Sequence, residues 1–382
     1  MKKNIKFSLL AIITSVFAGF FFLGLASSSF IDLNFFNNSF TSPFVSNNAK
    51  KRPLQQYSIN NLQKREYTAS PITIEKIFEE NTNFTSYLFS YITTDKRMTG
   101  QINIPLIRAY GKKPKTILMI RGYLPAETYE TGMGTKNAAS VFARAEYITI
   151  APDFFGYADS DNESEDVWEA RFVKPVNVIE LIESIKAANY IIGGEIELSE
   201  EQAVSIERLN GEKPSPLDGD ELAIWAHSNG GQITLSVLEI LGEPIPSTLW
   251  APMVAPFPYS ILYFGWDEAD EGKEQRKWIS MLEEDYDVLD FSITNHLEKL
   301  TGPIQIHHGS ADNQVLTTWV ESLVEKIKKP KPSPEMERES GSAPANQMGE
   351  VIYYSYPNTD HNLQPAWNTA IQRDLKFFEE NL

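Results

Sequence analysis

The chain has 382 residues, 42 % hydrophobic and 12 % aromatic, enough apolar material for one large domain with insertions and too much for a disordered chain. It has no cysteine and five histidines, which excludes disulfides, a cysteine nucleophile, iron–sulfur clusters and thiolate zinc sites, so no metal or cofactor is expected. The formal charge is −17; Lys2, Lys3, Lys6 and Lys50 against Asp32 give the first fifty residues +3, so the remainder carries −20, a balance that repels phosphate backbones and argues against nucleic acid as a partner.

Three lysines open the chain, and Phe7 to Ala26 is an apolar run of about twenty residues broken only by Ser, Thr and Gly. About twenty apolar residues span a bilayer, so residues 1–28 are expected to be a signal peptide or an N-terminal membrane anchor. Lysines before the run and none just after it place the remainder outside the cytoplasm. Ala26-Ser27-Ser28 offers a cleavage site, whereas the length of the run, beyond a signal core of about 7–15 residues, favours a retained anchor. Residues 29–68, rich in Asn, Ser and Gln, read as a stalk. Residues 69–382 read as the folded domain.

Two strands, Phe84 to Tyr91 and Thr99 to Ile107, flank the polar turn Thr94-Asp95-Lys96-Arg97 and form a hairpin. Lys115 to Ile120 and Tyr147 to Ala151 are short continuous apolar runs of the kind buried on both faces of a parallel sheet. A helix over Lys136 to Ala145 joins them. Another helix starts near Pro175, with Val178, Leu181, Ile182, Ile185 and Ala188 on one face. Leu222 to Ala226 is a further buried strand, followed by Ser228 and a helix over Gly230 to Leu241. Thr248 to Ala251, Pro303 to His308 and Val351 to Tyr356 supply three more strands. A last helix opens at Pro365, with Trp367, Ile371, Leu375 and Phe378 as its buried stripe. This alternation predicts an α/β fold, a mostly parallel sheet with helices on both faces. Three segments interrupt it: an acidic stretch at 190–220, a lid-like, partly acidic insertion at 257–300, and a Pro- and Ser-rich loop at 329–349.

The sharpest motif is Ala226-His227-Ser228-Asn229-Gly230-Gly231, set between a buried strand and an amphipathic helix. A serine on such a strand-to-helix elbow has its oxygen pushed out above the sheet, and the crowded backbone tolerates only small residues two before and two after it. Ala226 and Gly230 meet that need, and the Asn229 N–H faces any oxyanion formed at the serine. A serine hydroxyl needs an imidazole base and a carboxylate to orient it. On this type of sheet the order is Ser, acid, His. His361 follows the last strand, and Asp312 follows the strand before it; Asp360 beside the histidine is a rival acid. The separations are 84 and 49 residues. His307 and His308 read as strand-end packing residues, and His227 as a structural partner of the nucleophile. A second oxyanion donor is expected from Arg121-Gly122-Tyr123, where Tyr123 would give its amide or its hydroxyl. Arg121 has two readings, a contact to a lid or substrate carboxylate and a structural salt bridge.

The elbow, the turn from Gly309 through Asp312 to Val315, Asp360-His361 and the segment Pro152-Asp153-Phe154-Phe155-Gly156-Tyr157-Ala158-Asp159-Ser160 resemble the catalytic domain of the prolyl oligopeptidase family, a branch of the α/β-hydrolases. The resemblance covers about residues 84–382. It implies an α/β-hydrolase fold, Ser228, Asp312 and His361 as a triad, Asn229 and Tyr123 at the oxyanion hole, and a peptide as substrate. Arg121-Gly122 stands where the family often has His-Gly or Tyr-Gly, and too few residues precede the sheet for that family's β-propeller. The expectation is therefore an extracytoplasmic serine hydrolase acting on a peptide or small acyl substrate. Carboxylesterase and non-catalytic surface binding protein are its alternatives.

Overall fold

Apolar side chains alternate with polar ones from residue 72 onward, and the structure, a computed structural model describing residues 51–106, 115–194, 196–210, 221–265, 270–328 and 349–382, turns that alternation into a meander. Strands β1 (Ile72–Glu80), β2 (Phe84–Thr93) and β3 (Lys96–Pro105) pair antiparallel. Thr94 and Asp95 both take positive φ, 48° and 61°, the backbone of a two-residue type I′ turn whose twist matches the strands it joins. The pairing runs without a break from Phe84 opposite Pro105 to Thr93 opposite Lys96.

The short apolar runs form the interior strands. Every residue of β4 (Thr116–Ile120) and β5 (Ile148–Pro152) is buried, as strands covered on both faces must be. Beyond β5 the chain reaches out to β6 (Tyr190–Ile192), which pairs with β1 at the far edge, then returns to β7 (Leu222–His227) on the other side of β4. Strands β8 (Ser247–Trp250), β9 (Ile304–Gly309) and β10 (Val351–Tyr356) follow in turn. The sheet has the order β10-β9-β8-β7-β4-β5-β3-β2-β1-β6 and is parallel from β10 to β5. Between β4 and β7 the chain reverses its direction of progress across the sheet. The crevice at the carboxyl ends of such strands is where open α/β sheets bind ligands.

The helices cover both faces: α1 (Ile59–Leu62), α2 (Lys136–Arg144), α3 (Val167–Phe172), α4 (Lys174–Lys186), α5 (Glu200–Asn210), α6 (Asn229–Leu241), α7 (Tyr259–Gly265), α8 (Lys273–Glu283), α9 (Thr317–Lys328) and α10 (Trp367–Asn381). Helix α4 is apolar nearly all round and correspondingly buried, with Val176, Val178, Ile179, Leu181, Ile182 and Ile185 excluded from solvent.

Several expectations change. The segment 29–68 is not a free stalk over its described part: a 3-10 turn at Pro53–Tyr57 and α1 bury Leu54, Tyr57, Ile59 and Leu62 in the same core as the sheet. Leu54, Tyr57, Ile59 and Leu62 recur every two or three residues, which gives these short helical turns one apolar face to bury. Helix α10 starts at Trp367, with Pro365 outside it in a cis peptide bond. The acidic stretch 190–220 supplies an edge strand and an amphipathic helix, β6 and α5. Within 257–300, Phe257, Val288, Phe291, Ile293, Leu297 and Leu300 are buried core residues, so both ends of that insertion are fastened to the domain. The leader expected at 1–28 and residues 329–348 of the expected loop lie outside the described residues. Among the described residues no helix is long and apolar enough to cross a membrane.

Candidate active site

Ser228 follows β7 directly and precedes the first residue of α6. Its backbone takes φ 53° and ψ −120°, a conformation L-residues rarely adopt and one held only where the surroundings over-determine it. Here the surroundings are visible. The Ser228 N–H donates to Trp250 O at 2.9 Å, and its carbonyl accepts from Met253 N and Gly231 N, both at 2.9 Å. A Cβ on Gly230 would stand 2.2 Å from Ile120 O and 2.7 Å from Arg121 O. Helix α6 therefore starts in contact with the backbone of β4, and Gly230 is the residue that permits it. Ala226 is fully buried, and a Cβ on Gly231 would meet Pro252 Cβ at 2.4 Å. The small residues of the elbow have the steric role their positions predict.

Asp312 and His361 meet across β9 and β10. His361 Nδ1–H donates to Asp312 Oδ2 at 2.8 Å, and both residues are buried. Asp312 Oδ1 accepts from the Gln314 and Val315 amides at 2.8 and 3.0 Å. Burial pushes the Asp312 carboxyl upward, but the His361 and Val315 hydrogen bonds outweigh it, and the group lies below its ordinary value. An ionised Asp312 fixes the proton of His361 on Nδ1 and leaves Nε2 with its lone pair. The rival acid is engaged elsewhere: Asp360 Oδ1 accepts from Asn362 N at 3.0 Å and Gln364 N at 2.8 Å, shaping the loop that carries His361.

His227 packs its ring 4.8 Å from that of His361. Since a carbonyl can only accept, His227 Nε2–H donates to His361 O, at 3.0 Å. Burial drives the His227 pKa down to about 4, so its ring is neutral at pH 7 and braces His361 without adding charge. His308 is buried with its Nε2 3.8 Å from Asp312 Oδ2, and burial lowers its pKa as well. His307 bonds Asp374 Oδ1 at 2.9 Å and the Tyr356 hydroxyl at 2.6 Å, a strand-end packing role.

The loop after β4 lies against Ser228. A Cβ on Gly122 would be 2.9 Å from Ser228 Cβ and 3.4 Å from His227 Nδ1, so only a glycine fits beside Ser228 here. Tyr123 comes next, with its side chain 74 % exposed. Its backbone is thereby brought next to Ser228 while the ring extends into solvent, which favours the amide over the hydroxyl as the donor. Arg121 is structural but forms no salt bridge among the described residues, contrary to that expectation. Its guanidinium stacks 4.0 Å from the Tyr157 ring and 4.4 Å from Tyr129. It also donates to Gly122 O at 2.9 Å and Asp153 O at 2.7 Å. The planar, weakly hydrated cation can be buried this way, and its bonds tie the Gly122 loop to the loop after β5.

Two further residues border the site that the motifs do not single out. Arg171 and Lys174 line a small cavity together with Asn229. The sequence signal is a pair of cations three apart in the mostly apolar stretch Val167 to Val178. Among the described residues no group of three or more His, Asp or Glu side chains is arranged to hold a metal.

No family model matches the chain, and no curated protein does. Solved structures do. Acetyl xylan esterase from Paenibacillus sp. R4 superposes with a TM-score of 0.57 at 12 % identity, covering 87 % of this chain and 100 % of that one. A dipeptidyl aminopeptidase IV-like protein from Bacteroides ovatus gives 0.52 at 12 % identity over 80 % of this chain and 37 % of its own. A puromycin-hydrolyzing peptidase of Mycobacterium tuberculosis gives 0.50 at 12 % over 79 % and 40 %. The chain thus spans well under half the length of the two peptidases it resembles. With its central strand order, elbow and acid–histidine loops, this chain has the α/β-hydrolase fold.

Proposed function

We propose that the protein is a serine hydrolase of acyl compounds, with Ser228 as nucleophile, His361 as general base, Asp312 as its orienting carboxylate, and the amides of Asn229 and Tyr123 as oxyanion donors. The observation that carries this reading is the pairing of a strained, half-buried elbow serine with an imidazole whose Nδ1 is held by a buried, ionised Asp312. That arrangement leaves Nε2 as the only imidazole nitrogen free to act as a base. In the reaction Ser228 Oγ loses its proton to His361 and attacks the carbonyl carbon. The oxygen charge is met by the two amides, and the leaving group departs with the proton from His361. Water then repeats the sequence and releases the acyl group. Asp312 stabilises the imidazolium through both steps.

The finer reading is a peptide bond as substrate, supported by the motifs shared with the prolyl oligopeptidase branch. An ester substrate has its own support: the chain matches an acetyl xylan esterase over that protein's whole length. Comparing kcat/KM for aminoacyl-arylamides with short acyl aryl esters separates them. Amide turnover within about a hundredfold of ester turnover supports a peptidase, and ester turnover alone an esterase. The apolar run 7–26 supports an extracytoplasmic location, anchored or secreted, tested by fractionating cells that express the full chain. A folded protein that turned over neither substrate class would favour the non-catalytic binding role.

A further inference from the structure

The first turn of α6 forms one wall of a cavity of about 60 Å³ whose lining includes Asn229, Gln232, Phe257, Phe291, Arg171 and Lys174. One water needs roughly 10–15 Å³, so the space holds a small polar group rather than a single solvent molecule. Arg171 lies in the last turn of α3 and Lys174 begins α4, so the α3–α4 junction brings both cations to the pocket lining. Among the described residues neither forms an ion pair. Arg171 Nη2 donates to Gln232 Oε1 at 2.8 Å, and its guanidinium lies 5.7 Å from the Phe257 ring. Lys174 feels Glu163 as its one favourable charge, against Arg171 and Arg121 as unfavourable ones.

Neighbouring half-buried cations whose repulsion a single acidic residue, Glu163, only partly offsets are costly, because desolvation and mutual repulsion act together. Burial lowers Arg171 to about 10 and Lys174 to about 8, which registers that cost. The positive end of α6, a 13-residue helix, adds to it. A fold selected for stability alone would fill these positions with apolar side chains. The positive pocket is also local: it sits in a body carrying −20, so no general attraction for anions produces it.

We propose that Arg171 and Lys174 bind a carboxylate carried by the substrate a few bonds from the scissile carbonyl, with Asn229 at the boundary between this pocket and the reacting group. The proposal rests on the serine-hydrolase reading. A carboxylate fits the charge, the space and the paired donors. It has two sources: the acyl side, as in a dicarboxylic half-ester, or the leaving side, as the free C-terminus of a short peptide.

The full-length protein is assayed with aryl butyrate against aryl succinate, and with N-acetyl dipeptides carrying a free against an amidated C-terminus. A preference of about tenfold or more in kcat/KM for one of the anionic partners is expected, and which pair shows it names the source. Arg171→Met and Lys174→Met should each collapse that preference toward one, while Arg171→Lys retains part of it. Both Met variants should melt at or above the parent temperature, an outcome that a purely structural role for the two cations would reverse. No anionic preference in either pair, or a preference that persists in Arg171→Met, overturns the proposal. If neither pair is hydrolysed, the hydrolase reading fails separately. Calorimetric titration of Ser228→Ala with succinate then decides: heat that vanishes with Arg171→Met added supports the pocket, and no heat overturns it.

Discussion

At the residue scale the proposed triad turns on which carboxylate serves His361. Two acids adjoin it in sequence or in space. Asp312 spends one oxygen on His361 and the other on two amides, whereas Asp360 spends its Oδ1 on two amides alone. Asp312→Asn should therefore lower kcat by about 10⁴-fold with KM little changed, since the amide would favour the wrong tautomer. Asp360→Asn keeps an acceptor oxygen for Asn362 and Gln364 and should stay within about threefold of the parent. Steady-state kinetics on one activated ester compares both. Spacing and strand ends made Ser228, Asp312 and His361 legible from sequence, because each must sit at the carboxyl end of a particular strand. Arg121 was not legible. Its partners Tyr129 and Tyr157 come from loops after different strands, and nothing in local sequence reports an encounter of that kind.

At the element scale, the elbow works because α6 begins in contact with β4. Gly230→Ala places a methyl 2.2 Å from Ile120 O, and backbone cannot give way as a side chain can. The expected cost is about 1–3 kcal/mol, read as a lower denaturation midpoint, with activity reduced further as Ser228 shifts. Gly242→Ala, at the C-cap of the same helix, is the contrast: a Cβ there meets nothing within 4 Å, so its penalty arises only from the positive φ of 62° and should be smaller. Continuous apolar runs identified the interior strands nearly to the residue. The edge strand β6 and its neighbour β1 were harder to see, because Ile72–Glu80 mixes charged and apolar positions with two register shifts, and Tyr190–Ile192 is three residues long. Tertiary pairing, rather than local pattern, makes them strands.

At the scale of the whole molecule, the domain begins earlier than its composition suggests. Leu54, Tyr57, Ile59 and Leu62 are buried, each contributing on the order of 1.5–3 kcal/mol. A chain starting at Arg52 should melt as the full protein does, and one starting at Gln63 should lose several kcal/mol or fail to fold. Denaturant titration reads the difference. Two buried groups also set opposite pH trends. Glu239 is fully buried in α6, neither carboxylate oxygen is hydrogen-bonded among the described residues, and burial raises its pKa well above the ordinary 4.5. The native state then holds that proton more tightly than the unfolded chain, so stability falls as pH rises from about 4.5 upward. Glu239→Gln removes this term, and its gain in melting temperature should grow between pH 4 and pH 7. His227, lowered from 6.5 to about 4, acts in the other direction. The unfolded chain binds its proton first, so stability is lost as pH falls from about 6.5 toward 4.

The central claim is that Ser228 is an activated nucleophile. Fluorophosphonate labelling of the full-length protein, followed by peptide mass spectrometry, tests it most directly. One adduct is expected, on Ser228, abolished by Ser228→Ala and slowed strongly by His361→Ala and Asp312→Asn. A folded protein that takes no label, or one whose label survives Ser228→Ala, would contradict it.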